Sequence, residues 1–141
     1  MNMILQAIFN HGHKQKLNTA IIVDGVQHTY RDLYDDVVER VQGIENDNCI
    51  TSIINGKRHI IFIDTESVYE QLILWLAALH RGYIPIVSHP HMDNTYRSRL
   101  MRLLGSIDIP IEAQFGVLTS GTTGMPKTLW RTDRKSTRLN S

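Results

Sequence analysis

Apolar residues recur along the chain in two spacings, which predict strands and helices in alternation. Short apolar runs at residues 19–23, 59–63, 83–87 and 115–118 are typical of strands. Between them, apolar residues three and four positions apart indicate helices with one buried face. The clearest of these stripes predicts core residues at Tyr30, Leu33, Tyr34, Val37, Val38, Val41 and Ile44.

Helix boundaries are predicted from capping residues and glycines. Thr29 is expected to cap the helix that follows it, with Asp32 as the reciprocal acidic partner. The next helix is predicted over 66–81, opened by Asp64 or Thr65 and closed by Gly82. A third helix is predicted from Asp93 or Asn94 to Gly105, with Tyr96, Leu100, Leu103 and Leu104 buried and Arg97, Arg99 and Arg102 in solvent.

The remaining segments give weaker patterns. Residues 3–9 could form one or two helical turns, followed by a loop through residues 11–13. Asp24-Gly25 is a pair that reverses the chain, so it predicts a small hairpin after the first strand. Residues 45–57 are polar and rich in asparagine with an apolar interruption, and fit either a loop or a short edge strand.

Strands that alternate with helices predict the α/β class, with a mostly parallel sheet and helices on both faces. Residues 1–132 are assigned to this one domain. Residues 133–141 are basic, have no apolar period and resemble translated cloning sequence, so they are interpreted as a non-native tail that adds nothing to the fold. A basic arm for an anionic partner is the alternative for this tail.

Composition narrows the classes of function. The 141 residues are 42% hydrophobic and carry a formal net charge of +1, which gives no electrostatic argument for nucleic-acid binding. No apolar run is long enough to cross a membrane, and the start of the chain has no basic region typical of a secretory signal. Cys49 is the only cysteine, which fits the expected cytoplasmic location.

Several polar residues are expected to be structural. The pairs His11 with His13 and His89 with His91 have no cysteine or carboxylate at ligand spacing, so no metal site is predicted there. Asp35, Asp36 and Glu39 are assigned to the solvent face of their helix, and Asp64 to a helix cap. Tyr69 and Trp75 are expected to fill the core.

Residues 118–127 carry the strongest chemical signal. Four hydroxyl side chains, two glycines and one lysine follow a predicted buried strand, at the carboxyl end where ligands of such sheets gather. Glycines allow successive N–H groups to turn toward an anion, and hydroxyls add donors. Pro126 restricts Met125 and directs Lys127 out of the loop. The predicted phosphate-binding residues are Thr119, Ser120, Gly121, Thr122, Thr123, Gly124 and Lys127.

The spacing does not fit the P-loop of nucleotide triphosphatases, because Gly121 is followed by Thr122 rather than by lysine. Residues 119–127 instead resemble the T-S-G-T-T-G-x-P-K loop of the adenylate-forming superfamily, which includes acyl- and aryl-CoA synthetases, adenylation domains and luciferases. Thr128 departs from the glycine common there, and residues 128–132 look more like the branch that activates aryl acids. The T-Y-x-x-L pattern at residues 29–33 and a shortened G-x-x-P at residues 82–85 extend the resemblance.

This resemblance implies an N-terminal part of a ligase that activates a carboxylic acid with ATP and Mg²⁺, releases pyrophosphate, and passes the acyl group to a thiol, either CoA or a carrier protein. Relatives place their adenine, ribose, magnesium and acid contacts after this loop, so the chain is expected to be truncated, inactive alone and aggregation-prone. The sequence does not indicate which carboxylic acid is activated or which thiol accepts the acyl group. Two alternatives are open: another ATP- or phosphate-binding module, and a non-enzymatic fragment in which the loop is a plain turn.

Overall fold

A computed structural model describes residues 3–14, 17–89, 92–119, 127–132 and 137–140. Within these ranges it contains four α-helices, one 3-10 turn and eight strands. In chain order they are α1 (Met3–Lys14), β1 (Thr19–Val23), β2 (Val26–Thr29), α2 (Tyr30–Val41), the 3-10 turn (Ile44–Asn46), β3 (Ile50–Asn55), β4 (Arg58–Ile63), α3 (Val68–His80), β5 (Ile84–Val87), α4 (Asn94–Leu104), β6 (Ala113–Thr119), β7 (Lys127–Thr132) and β8 (Thr137–Asn140).

The first part of the chain forms a hairpin of β1 and β2 beside helices α1 and α2. The predicted strand over residues 19–23 and the reversal at Asp24-Gly25 are confirmed, and both turn residues have positive φ. The predicted loop through residues 11–13 is wrong, because α1 continues to Lys14. The His11 ring stabilises this last turn through a 3.0 Å contact between Nδ1 and the Ala7 carbonyl oxygen.

Helix α2 begins with the predicted reciprocal cap. The Asp32 N–H donates to Thr29 Oγ1 at 3.1 Å, and the Thr29 N–H donates to Asp32 Oδ2 at 3.3 Å. Leu33 and Val37 are buried as predicted, and Ile44 is buried in the 3-10 turn beyond the helix. Val38 was predicted to be core but is 38% exposed, because it lies at the border of the apolar stripe.

Six strands form one sheet in the order β3-β4-β5-β6-β7-β8. The α/β class is confirmed, but the sheet is mixed rather than mostly parallel. β4, β5 and β6 are parallel because a helix connects each to the next, whereas β3, β7 and β8 pair antiparallel with their neighbours. The undecided segment over residues 45–57 contains the edge strand β3.

The predicted helices on both faces of the sheet are confirmed by two separate cores. Successive side chains of a strand point to opposite faces. Ile61 and Ile63 of β4 pack with α2 and α3. Ile60 and Phe62 of the same strand pack with α4 in the second core.

Both predicted boundaries of α4 and the predicted end of α3 at Gly82 are confirmed, whereas the predicted start of α3 is wrong. Asp93 caps α4 and Gly105 ends it. Helix α3 is capped by Ser67, not by Asp64 or Thr65, because the Ser67 hydroxyl accepts from the Glu70 N–H at 3.2 Å. On α4, Leu100 and Leu104 are buried as predicted, while Leu103 is 37% exposed.

The end of the chain adds a strand that the sequence did not predict. Thr137–Asn140 forms β8 and pairs antiparallel with β7, from Thr128 opposite Asn140 to Arg131 opposite Thr137. The expectation that residues 133–141 add nothing to the sheet is therefore wrong for these four residues. The domain boundary at residue 132 and the non-native origin of the tail stay predictions.

Candidate phosphate-loop site

The three parallel strands end at one edge of the sheet. Ile63 at the end of β4 lies opposite Val87 at the end of β5, and Ile86 lies opposite Gly116 of β6. The Ser88 N–H continues the first pairing by donating to the Ile63 carbonyl at 2.8 Å. This carboxyl edge is where ligands of parallel sheets gather, and β6 delivers the predicted loop to it.

Two of the seven predicted phosphate-binding residues lie within the described ranges. Thr119 ends β6 and Lys127 begins β7, and the two are directly opposite each other in the antiparallel pair. The Thr119 hydroxyl donates to the Lys127 carbonyl oxygen at 3.1 Å. Because a hydroxyl has one proton, the Thr119 hydroxyl can then only accept further hydrogen bonds. The Lys127 side chain is exposed.

The other five predicted residues, Ser120, Gly121, Thr122, Thr123 and Gly124, lie outside the described residues, and their role stays a prediction. The flanking pair restricts the loop to a connection of seven residues between adjacent strands. This arrangement fits both a phosphate loop and a plain turn, so the choice depends on chemistry rather than on topology.

A cleft of about 640 Å³ opens at the carboxyl ends of β4 and β5. Its wall combines an acidic segment after β4, the start of α3, the segment after β5 and one arginine of α4. The lining residues are Asp64, Thr65, Glu66, Val68, Gln71, Ser88, His89, Met92 and Arg97.

An ion pair between Asp64 and Arg97 joins the two sides of this cleft. The Arg97 guanidinium also lies 5.6 Å from the centre of the Phe62 ring. Asp64, predicted to be a helix cap, is therefore an ion-pair partner, and Arg97, predicted to be in solvent, packs against the sheet. No spacing in the sequence indicates a contact between residues so far apart along the chain.

A second polar cluster links β2, α2 and α3. The Tyr69 hydroxyl donates to Asp36 Oδ2 at 2.5 Å, and its ring stacks on His28 with centroids 3.7 Å apart. Burial and then the hydrogen bond to Asp36 raise the pKa of the Tyr69 hydroxyl. Tyr69 packs against the first core as predicted, whereas Asp36, which was assigned to the solvent face, is half-buried and accepts the hydrogen bond from Tyr69. Trp75 packs edge-on against Phe115, as expected of a core residue.

A third cluster lies where α3 passes into β5. Glu45 accepts hydrogen bonds from the Tyr83 hydroxyl and from the Arg81 guanidinium, both at 2.6 Å. The hydrogen bond from Tyr83 lowers the pKa of the Glu45 carboxyl, and the same contact raises the pKa of Tyr83. These contacts stabilise the fold at a distance from the carboxyl edge.

Comparison with solved structures identifies the fold. The chain superposes on the Klebsiella oxytoca NpsA N-terminal subdomain with a TM-score of 0.69 and 18% identity, over 95% of this chain and 43% of that one. The chain has the fold of the N-terminal subdomain of adenylation enzymes. It matches the same subdomain in complex with 3-hydroxyanthranilyl-AMSN (TM-score 0.69, 19% identity, 95% and 41% covered).

VinN in complex with L-aspartate has the same fold (TM-score 0.65, 14% identity), over 94% of this chain and 44% of VinN. The chain thus spans less than half the length of the structures it matches. No protein-family model and no curated protein matches it. Across the described residues, no helix has the length and apolar character needed to cross a membrane.

Proposed function

We propose that this chain is part of an enzyme that activates a carboxylic acid with ATP to form an acyl-adenylate. The observation that carries the proposal is the position of the T-S-G-T-T-G-x-P-K sequence. Its described ends, Thr119 and Lys127, lie at the carboxyl edge of a sheet whose fold is that of adenylation-enzyme subdomains. Sequence pattern and fold are independent lines of support, because the NpsA and VinN structures described above are only 14 to 19% identical to this chain.

In this proposal a carboxylate oxygen attacks the α-phosphorus of ATP, and the bond to the β-phosphate oxygen breaks to release pyrophosphate. Negative charge then develops on the leaving pyrophosphate. Lys127 is exposed at the start of β7, so its ammonium can approach the β- and γ-phosphates without first breaking an ion pair among the described residues. The loop N–H groups and the hydroxyls of Ser120, Thr122 and Thr123 would hold the same phosphates.

Mg²⁺ would share the charge of the phosphates. At nucleotide sites this ion usually keeps several waters and is held by one or two carboxylates together with phosphate oxygens. Bound there, the ion would supply charge neutralisation. Transfer of the acyl group to CoA or to a carrier thiol is part of the proposal and draws on the sequence resemblance alone.

The proposal predicts that Lys127→Ala weakens ATP binding by the 141-residue chain. Loss of a charge-assisted contact costs about 1.5 to 3 kcal/mol, which is roughly a tenfold to hundredfold loss of affinity. Calorimetric titration with ATP, pyrophosphate and AMP measures this, and AMP is expected to bind weakest because it lacks the β- and γ-phosphates. Lys14→Ala is the matched control, because Lys14 is an exposed lysine at the end of α1.

Equal ATP affinity in Lys127→Ala would remove this lysine from the site. A second assay separates a ligase from another nucleotide-binding module: pyrophosphate exchange into ATP by the gene product that carries this sequence must depend on added carboxylic acid. Aryl acids and amino acids are the first acids to test, because NpsA is seen with aryl-AMSN compounds and VinN with L-aspartate.

A plain hairpin turn is the second candidate. The direct pairing of Thr119 with Lys127, and the hydrogen bond between the Thr119 hydroxyl and the Lys127 carbonyl, favour it because ordinary antiparallel hairpins have such closing pairs. A turn without a phosphate site predicts no saturable binding of ATP or pyrophosphate by the wild-type chain. The titration and the exchange assay on the gene product together therefore decide between the two candidates.

A further inference from the structure

Strand β6 lies between its parallel neighbour β5 and its antiparallel neighbour β7. It pairs with β5 at one position, Ile86 opposite Gly116, whereas β4 and β5 pair at four positions. Its other partner, β7, follows it directly through the loop and pairs with it at six positions. A restraint at the amino end of β6 would add to these pairings in setting where β6 and β7 lie along the strand direction.

Arg58 supplies such a restraint at the amino end of β6. Its guanidinium donates to the carbonyl oxygens of Pro110 at 3.2 Å, Ile111 at 3.1 Å and Ala113 at 2.5 Å. Ala113 is the first residue of β6. A guanidinium presents its donors in a rigid planar fork, so three contacts to one short segment define where that segment lies.

Asn55 contacts the other end of the segment that connects α4 to β6. Its side-chain NH₂ group donates to the carbonyl oxygens of Leu104 and Ile107, both at 2.8 Å. Leu104 is the last residue of α4, so this amide satisfies carbonyls that the helix leaves unpaired. Asn55 and Arg58 are opposite each other across the β3–β4 turn, and we name the two residues together the clasp.

We propose that the clasp positions the predicted phosphate loop, by fixing where β6 begins and therefore where Thr119 and Lys127 lie at the carboxyl edge. This inference rests on the proposed function. β6 runs as an extended strand from Ala113 to Thr119, with one register irregularity between Ala113 and Phe115 in its pairing with β7, and an extended strand neither shortens nor lengthens appreciably. A displacement at Ala113 is therefore transmitted to Thr119, which itself makes no contact with the clasp.

The test compares Arg58→Met, Arg58→Lys and the control Arg31→Met in the 141-residue chain. Arg31 is an exposed arginine on α2 whose partner, Asp35, lies 3.7 Å away. Each variant is titrated with ATP and examined by amide hydrogen exchange, resolved by segment. We expect Arg58→Met to lose about tenfold in ATP affinity and to lose amide protection in residues 113–119, while β4 and α3 keep theirs.

Arg58→Lys is the conservative variant. Its single ammonium keeps the charge but reaches fewer of the three carbonyls, so both the affinity and the protection of β6 should fall between those of wild type and Arg58→Met. Arg31→Met should behave as wild type. Arg58→Lys also keeps the experiment decisive if Arg58→Met does not fold.

The outcomes separate this inference from the proposed function. Saturable ATP binding by wild type with unchanged affinity in both Arg58 variants would overturn the inference and leave the proposed function intact. Loss of protection spread equally over β4, α3 and β6 would also overturn it, because the clasp would then stabilise the whole fold rather than position one strand. No ATP binding by wild type, together with no acid-dependent pyrophosphate exchange by the gene product that carries this sequence, would refute the proposed function and, with it, the clasp's role at a phosphate loop.

Discussion

Gly116 lies in close contact with three neighbouring side chains. A methyl group at this position would approach Trp130 Cζ3 at 3.0 Å, and Ile86 Cγ1 and Thr128 Cγ2 at 3.1 Å each. The absence of a side chain at Gly116 therefore allows residues of β5 and β7 to pack closely against β6. The motif that predicted the loop gave no reason for a glycine here, because this constraint comes from neighbouring strands.

We expect Gly116→Ala to lower the free energy of unfolding by about 1 to 3 kcal/mol, since an added methyl in a tight core forces its neighbours to move. Urea titration followed by circular dichroism measures the change. Gly43→Ala is the control, because a methyl there would meet no atom within 4 Å. Equal stability of Gly116→Ala and wild type would show that the sheet absorbs the methyl without strain.

At the scale of elements, the contact between Tyr69 and Asp36 ties α3 to α2. Burial and this hydrogen bond raise the pKa of Tyr69 in the folded state. The stabilisation from this shift is complete below the pKa of an unfolded tyrosine, about 10, and decreases as the pH rises above it. The reason is that the unfolded tyrosine then ionises while the folded one keeps its proton.

Tyr69→Phe tests this dependence, because phenylalanine keeps the ring that stacks on His28 but has no hydroxyl. At pH 7 we expect the variant to be about 1 kcal/mol less stable, and above pH 10 the difference from wild type should narrow. Urea midpoints of both proteins at pH 7, 9 and 10.5 measure it. A difference that stays constant across this range would contradict the predicted sign.

Elements were predicted where the determining contacts are local. The reciprocal cap of Thr29 and Asp32, the Asp24-Gly25 turn and the end of α4 at Gly105 each depend on residues within a few positions of one another. Ser67 was missed as the cap of α3 because Asp64 and Thr65 are equally good capping residues. The mixed sheet was missed because antiparallel pairing of β3 depended on a segment without a clear period.

Less of the candidate site than of the helices and strands was predicted from the sequence. A motif predicted the loop, and the structure describes its two ends at the expected edge of the sheet. The Asp64–Arg97 pair and the three Arg58 contacts were not predicted, because they join residues 33 to 55 positions apart, and the sequence carries no signal of such pairings.

At the scale of the whole molecule, the described elements leave apolar surface uncovered. Val117 and Leu129 are directly opposite each other on β6 and β7, on the face that Phe115 shares with Trp75, and Val117 is 42% exposed. Strand β3 is a sheet edge, and Ile54 on it is 62% exposed. Exposed edges with apolar side chains favour association between copies.

We therefore expect the chain to self-associate as its concentration rises, and Ile54→Lys to reduce this, because a charge on an edge strand opposes pairing. Size-exclusion chromatography with light scattering measures the mass. Ile111→Lys is the control: Ile111 is 92% exposed but lies in the connection before β6 rather than in a strand. A wild-type chain that stays monomeric at all concentrations would contradict this expectation.

The length of β6, seven residues, also determines how far the Arg58 contacts lie from the predicted phosphate loop. At roughly 3.3 Å per residue, the strand separates the Arg58 contacts at one edge of the sheet from the loop at the other by about 20 Å. Under the proposed role of the clasp, a change at Asn55 or Arg58 would thus alter nucleotide affinity without any contact between these residues and the nucleotide. Engineers who wish to tune this binding could vary residues 55–58 and leave every phosphate contact as it is.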